Sequence, residues 1–276
     1  MAWQWDETLY AGSAAHYRDG RLPYPPAVAE AIAREASLDG TQRLLDVGSG
    51  PGSLTLVLAP LVAAAVGVDA DPDMVAVAAE EAARAGIGNV RWLHLRAEAL
   101  PAGLGRFGLV TFAQSFHWMD RPAVAAPARA MLDDPGVVVH VHATTHRGDE
   151  SDDRLALPRP PHPQIDALVR RYLGPQRRAG EGVLPGGTPG GEDAIYRAAG
   201  FAEPVRVELE TGEIVHRTED EVVASTFSLS SAAPHLFGAR LPAFEADLRR
   251  LLRDAAPGGV FAERRRGIAL DFWRPA

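Results

Sequence analysis

Leu44-Leu45-Asp46-Val47-Gly48-Ser49-Gly50-Pro51-Gly52 is an apolar run that ends in a glycine-rich turn. A helical pattern follows, and a second apolar run, Ala65-Val66-Gly67-Val68, ends on Asp69. A strand, a glycine turn, a helix and a second strand closing on a carboxylate predict the nucleoside-binding half of a doubly wound α/β sheet. Glycine removes side chains where backbone must approach a ligand, and an acid at the end of the second strand can accept from two ribose hydroxyls. The spacing is G-x-G-x-G, with Ser53 following Gly52. A dinucleotide fingerprint needs its third glycine one residue later, and Pro51 has no N–H to offer a pyrophosphate. A neutral or zwitterionic nucleoside fits this turn better than a dinucleotide.

The rest of the chain narrows the class. At 276 residues it can bury a sizeable core as one large α/β domain. Its 46% hydrophobic and 23% charged content is that of an ordinary soluble domain, and a net charge of −8 gives no electrostatic footprint for nucleic acid or an anionic membrane. The arginine pairs and triplet (Arg170-Arg171, Arg177-Arg178, Arg264-Arg265-Arg266) are short and separated, as solvated faces and helix ends are. Without cysteine there are no disulfides and no thiolate metal sites. The first residues lack a basic segment and an apolar segment, and no apolar run reaches the length of a membrane span, so a cytoplasmic protein is expected.

Periodicity and punctuation predict strands at 43–47, 65–69, 90–95, 107–113, 136–141, 205–210 and 267–273. Helices are expected at 26–37, 53–62, 164–173, 192–199, 219–229 and 242–254. Two more start on aspartates, one after Asp71 with Pro72 at its first position and running to 84, one after Asp120 and running to 131. Breaker-rich stretches at 148–163 and 180–191 interrupt this alternation. The expected order is a single domain: an N-terminal helical lid at 1–40, a cofactor-binding core at 41–147, an insertion after strand five at 148–200 that caps the carboxyl ends of the strands, and C-terminal strands and helices at 201–276.

Four segments recur together, and in this order, in one family. They are the block from Leu44 to Gly52, the acid of Val66-Gly67-Val68-Asp69, Ala97-Glu98-Ala99-Leu100-Pro101, and Gln114-Ser115-Phe116-His117-Trp118. The chain resembles class I S-adenosylmethionine-dependent methyltransferases, specifically the small-molecule branch that includes ubiquinone, biotin-pathway and trans-aconitate methyltransferases. The resemblance implies a seven-stranded Rossmann-like sheet, S-adenosylmethionine as methyl donor and S-adenosylhomocysteine as product. It also implies roles. Gly48, Ser49, Gly50 and Gly52 would pass along the methionine and ribose, and Asp46 would hold the turn or meet the amino group. Asp69 would take the ribose, with Ala70 and Met74 at the adenine, Ala97 and Glu98 at its edge, and Gln114 and Ser115 beside the sulfonium. Two positions depart from the family pattern: Arg96 stands where an aspartate often accepts from the adenine amine, and Gly108 where strand four usually begins with aspartate.

Tyr10, Tyr17 and Tyr24 lie in the segment that lids the cofactor in this family, and an aromatic face attracts a sulfonium. Arg18 and Arg21 are candidate clamps for the methionine carboxylate. His117 is the candidate general base, with Tyr17 a second catalytic candidate, because imidazole can accept a proton near neutral pH. Tyr24, Phe116, His117, Trp118, His142 and His146 are the expected substrate contacts. His140 and His142 share one face of a strand, yet no local carboxylate completes a ligand set, and no metal is expected. The composition is arginine- and alanine-rich, suggesting a GC-rich bacterial genome and, with the large insertions, specialised metabolism. A methyltransferase-fold cyclase and a non-catalytic S-adenosylmethionine-binding partner protein are the alternative readings. The expected partner is a small-molecule acceptor, with no nucleic acid and no membrane, and the chain a monomer or homodimer.

Overall fold

Residues 6–149, 155–175, 190–210 and 212–276 are described by the computed structural model. Most of the breaker-rich stretch at 180–191, and five residues of that at 148–163, lie outside them. Nine strands are present among the described residues: β1 (Arg43–Val47), β2 (Ala64–Asp69), β3 (Val90–His94), β4 (Phe107–Ala113), β5 (Leu132–His142), β6 (Val205–Leu209), β7 (Ile214–Thr218), β8 (Val260–Arg264) and β9 (Ile268–Trp273). Seven make one sheet in the order β3-β2-β1-β4-β5-β9-β6, parallel through β5, with β9 antiparallel between β5 and β6. This is the seven-stranded Rossmann-like sheet expected from the sequence. Strand order reverses between β1 and β4, and ligands bind at the carboxyl ends beside such a switch point.

Alternation along each strand splits its apolar residues between two cores. Leu45, Val47, Val110, Phe112 and Val138 face one core, which is closed by α5 (Arg121–Ala130) and α7 (Glu192–Ala198). Leu44, Leu109, Val137, Val139 and Val141 face the other, closed by α2 (Pro26–Glu35) and α3 (Thr55–Leu58). The helix expected at 53–62 is shorter than predicted. It runs four residues and passes into a 3₁₀ turn at Ala59–Leu61, where Pro60 has no N–H to continue the α-helical ladder. By contrast α4 (Pro72–Arg84) starts where its signals place it, with the Asp71 carboxylate accepting from the N–H groups of Asp73 and Met74.

A third apolar cluster forms a cap. It unites α6 (His162–Leu173), α8 (Glu219–Phe227), α9 (Leu241–Ala255) and Phe261 of β8. The expected insertion therefore divides, since α6 joins the cap whereas α7 covers the sheet through Ile195, Tyr196 and Ala199. β7 and β8, which the sequence did not predict, pair with each other in a separate antiparallel sheet. They carry the buried charges Arg217 and Glu263, 2% and 3% exposed, whose polarity hides the strands. Arg217 donates to the carbonyls of Gly20 and His146, which ties the N-terminal segment and the loop after β5 to the cap. The first helix, α1 (Ala14–Gly20), packs against α8 so closely that a Cβ on Gly20 would lie 2.5 Å from the Ala224 backbone.

Candidate active site

The backbone at the β1 end builds one side of a narrow slot. Gly48 and Gly50 take positive φ, +69° and +53°, and the N–H groups of Gly48 and Ser49 both donate to the Val68 carbonyl of β2. A Cβ on Gly48 would lie 2.5 Å from that of Ser115, whose hydroxyl donates to the Val47 carbonyl. A Cβ on Gly50 would meet nothing within 4 Å, so this residue keeps the slot open. Ser49 is buried with a hydroxyl that has no partner among the described residues, and it lines the slot.

Beneath the turn, Asp46 is fully buried and accepts from the hydroxyls of Thr55 (2.5 Å) and Thr111 (2.7 Å). Burial raises its carboxyl above the ordinary range, and the two threonine donors offset only part of that. Asp46 does not line the slot. Of the two roles expected for it, holding the turn is the one its geometry serves, and contact with an amino group is corrected. Gly52 is likewise not a lining residue. It leaves room for the Trp92 ring, 2.6 Å from where its Cβ would stand.

Asp69 lines the slot at the end of β2, one oxygen accepting from Gly50 N–H (2.7 Å) and the other from Asp71 N–H (2.9 Å). Burial raises its pKa to about 6 despite these two donors. Ala70, Met74, Ala97 and Glu98 continue the same wall. The Glu98 carboxylate accepts from Asp120 N–H (2.9 Å) and from Arg96 (3.4 Å), so Arg96 turns outward onto its neighbour. Gly108 sits against Gln42, whose Cγ would be 2.8 Å from a Cβ there, so Gln42 fills the space a side chain would need.

The N-terminal segment supplies the opposite wall. Tyr10, Tyr17, Arg21 and Tyr24 reach the slot, with Tyr10 packed edge-on to Tyr17 (6.4 Å) and to Trp118 (5.4 Å). Arg21 stacks on Tyr17 (4.5 Å) and donates to Ser228 and Thr145, with no carboxylate opposite it among the described residues. Arg18, its fellow candidate, is exposed and pairs with Asp19 and Glu81, away from the slot. Gln114, at the end of β4, holds a positive φ of +55°, rare outside glycine, and donates to the Tyr24 hydroxyl (2.9 Å).

Tyr10, Tyr17, Arg21, Gln114 and Trp118 also line a second cavity, a chamber of about 780 Å³. His117, His142 and His146 line it too, as do groups the sequence did not assign to the site, among them His140, Glu192, Glu208 and Glu210. Phe116 does not reach it. Its ring is fully buried, stacked on Tyr196 (5.0 Å) and edge-on to Phe112 (5.0 Å), which corrects the expected substrate contact to a core role. Among the described residues no group of three metal-binding side chains converges, and no helix is long and apolar enough to cross a membrane.

Burial, reinforced by Arg121, lowers His117 to about 4, and burial, reinforced by His142, lowers His140 to about 3. Both rings are neutral in the folded protein at neutral pH. An unfolded chain protonates them near 6.5, so their contribution to stability is lost as pH falls from 6.5 toward 4. Asp69 acts in the opposite direction, because its pKa is raised above 3.8 and its contribution fades as pH rises through 6. Melting curves should therefore show Tm falling over the acid range, with a shallower fall in His140→Leu. A slope unchanged by that substitution would contradict the neutral assignment.

Residues 44–136 match the family model described as a methyltransferase domain. The uncharacterized methyltransferase YcgJ of Bacillus subtilis is 32% identical over 131 residues, 47% of this chain and 52% of its own. An uncharacterized methyltransferase of Mycobacterium bovis is 35% identical over 132 residues, 48% of this chain and 50% of its own. The chain thus spans about half the length of the curated relatives it matches. In fold the likeness is broader. The crystal structure of YcgJ superimposes over 91% of this chain and 99% of its own, with a TM-score of 0.53 at 19% identity. The N-methyltransferase NodS of Bradyrhizobium japonicum, solved with S-adenosylhomocysteine, superimposes over 98% and 99%, with a TM-score of 0.51 at 13% identity. With the glycine turn, Asp69 and the strand order on the page, the match and the superpositions agree: residues 44–136 match a methyltransferase domain, and the fold is similar to that of solved methyltransferases.

Proposed function

We propose that this protein transfers a methyl group from S-adenosylmethionine to a small organic molecule in specialised metabolism, with the donor in the slot and the acceptor in the chamber. The observation that carries this reading is the wall the two cavities share, Tyr10, Tyr17, Arg21, Gln114 and Trp118, where a reactive group held in one cavity meets a guest of the other. When bound, the donor supplies an electrophilic methyl group on a sulfonium.

The slot's own chemistry fits that molecule. Gly50 leaves a cradle open, the Ser49 hydroxyl is buried without a partner among the described residues, and Arg21 offers a cation to a carboxylate. In this reading Gly48, Ser49 and Gly50 admit the methionine and ribose, and Asp69 accepts from the ribose hydroxyls. Ala70, Met74, Ala97 and Glu98 flank the base, and Ser115 and Gln114 close the end nearest the chamber. The N-terminal segment is the lid. Its tyrosines exclude water and present aromatic faces to the sulfonium. Positioning lowers the barrier to methyl transfer, and a fixed wall between donor and acceptor supplies it.

His117 is neutral at neutral pH and lines the chamber. With a pKa of about 4 it is a weak proton acceptor, so we assign it to orienting the nucleophile by accepting a hydrogen bond. Tyr17 and Trp118 shape the same wall, and Tyr24 fixes Gln114. Incubation with S-adenosylmethionine and a panel of small hydroxyl, amine and enol acceptors should release S-adenosylhomocysteine with at least one of them. Binding of the donor without product from any acceptor would favour a non-catalytic partner protein.

A further inference from the structure

The chamber's wall holds an acid–imidazole pair that the reaction outlined above does not use. Antiparallel pairing of β9 between β5 and β6 sets Asp271 directly opposite His140 on one side and Arg206 on the other. Asp271 is 6% exposed, and its carboxylate accepts from His142 Nε2 at 2.9 Å and from Arg206 at 2.8 and 3.1 Å. Burial pushes this carboxyl up, but His142 and Arg206 outweigh that and hold it below its ordinary range, so it is ionised. In the tautomer that gives Nε2–H to Asp271, Nδ1 of His142 carries the ring's lone pair, and His142 lines the chamber. Glu192, Glu208 and Glu210 line the same chamber, with Glu208 two strands from His142 across Ala269. His140, 4.2 Å away between ring centres, is neutral, His117 is neutral, and Arg206 is committed to Asp271.

A base held in register by a buried carboxylate is the arrangement that proton removal from a nucleophile requires. The chamber's walls point to the nucleophile. Tyr10, Tyr17, Trp118 and His117 present flat rings, suited to a planar guest. Building on the methyl-transfer reading, we propose that the acceptor is a planar phenol or enol and that His142, oriented by Asp271, takes its hydroxyl proton. The step balances: the O–H proton goes to Nδ1 of His142, the oxygen lone pair forms the O–CH₃ bond, and the electron pair of the S–CH₃ bond stays on sulfur. His142 acts on the acceptor itself, whereas Asp271 is a positioning residue.

The full chain with 4-nitrophenol as a probe tests this, because the phenol reports its own ionisation by absorbance. At about pH 6, where imidazole is a useful base, the bound probe should carry the phenolate band in the wild type. His142→Gln should abolish the band while S-adenosylhomocysteine binding and Tm stay close to wild type. Asp271→Asn should weaken the band and change the His142 ring tautomer followed by ¹⁵N NMR, and Asp271→Glu should restore part of both. A band unchanged in His142→Gln, a His142 tautomer unmoved in Asp271→Asn, or no probe binding at about 10 mM with S-adenosylhomocysteine still bound, would each overturn the proposal. Failure of S-adenosylhomocysteine to bind the wild type would instead overturn the methyl-transfer reading beneath it.

Discussion

Asp69→Ala should weaken S-adenosylhomocysteine binding by about 100-fold or more, measured by calorimetry near neutral pH. The reasoning is local. Hydrogen bonds to a charged group contribute about 1.5–3 kcal/mol each, and the ribose offers two such donors to one carboxylate. The same carboxylate already fixes the turn through Gly50 N–H and the start of α4 through Asp71 N–H, so its loss also loosens the slot's frame. Asp69→Asn separates the two effects, since it keeps the shape and an acceptor oxygen while discarding the charge. Wild-type affinity should fall on acidification below about pH 6, because there Asp69 protonates and loses part of its acceptor capacity. Alanine at 69 should remove that pH dependence. Affinity that is independent of residue 69 would place the nucleoside elsewhere.

Gly48→Ala should damage both the fold and cofactor binding. The residue sits at φ +69°, a region that costs an alanine about 1–2 kcal/mol. Its new Cβ would also stand 2.5 Å from Ser115 Cβ and 2.9 Å from Met119 Cε, and Ser115 cannot retreat without giving up its hydrogen bond to Val47. Overpacking of this kind adds about 1–3 kcal/mol. The expected sum is a fall in Tm of about 5–15 °C together with loss of cofactor binding, read by melting curves with and without S-adenosylhomocysteine. Gly50→Ala is the informative contrast. Its Cβ meets nothing within 4 Å, so at φ +53° it carries the backbone cost without the overpacking, and loss of ligand affinity beyond the matching fall in stability reports the ligand.

Much of the fold is legible in the sequence because its signals are local. β1 and β4 occupy their expected residues, being apolar runs bounded by glycines and polar residues, and α4 follows its Asp71-Pro72 start signal. The glycine turn and Asp69 meet in space because one crossover separates them, and such a crossover has essentially one geometry. What the sequence hides depends on register or on buried charge. β7 and β8 go unpredicted because Arg217 and Glu263 point inward, where each neutralises the other, with His162 on the same carboxylate. The contact between His142 and Asp271 joins residues 129 apart and exists only because β9 inserts antiparallel beside β5 in one register. Phe116 shows the reverse error. Its neighbours Ser115, His117 and Trp118 all line cavities, yet in the 3₁₀ turn at Phe116–Trp118 its ring turns into the core beneath them.

The central claim is that the slot between Gly48–Gly50 and the Tyr10–Tyr17 segment is an S-adenosylmethionine site. Calorimetric titration of the purified chain with S-adenosylhomocysteine tests it most directly, with NAD as the control that the G-x-G-x-G turn should exclude. The expected result is one site per chain for S-adenosylhomocysteine, weakened in Asp69→Ala, and no heat from NAD. Binding of NAD with none of S-adenosylhomocysteine would contradict the account.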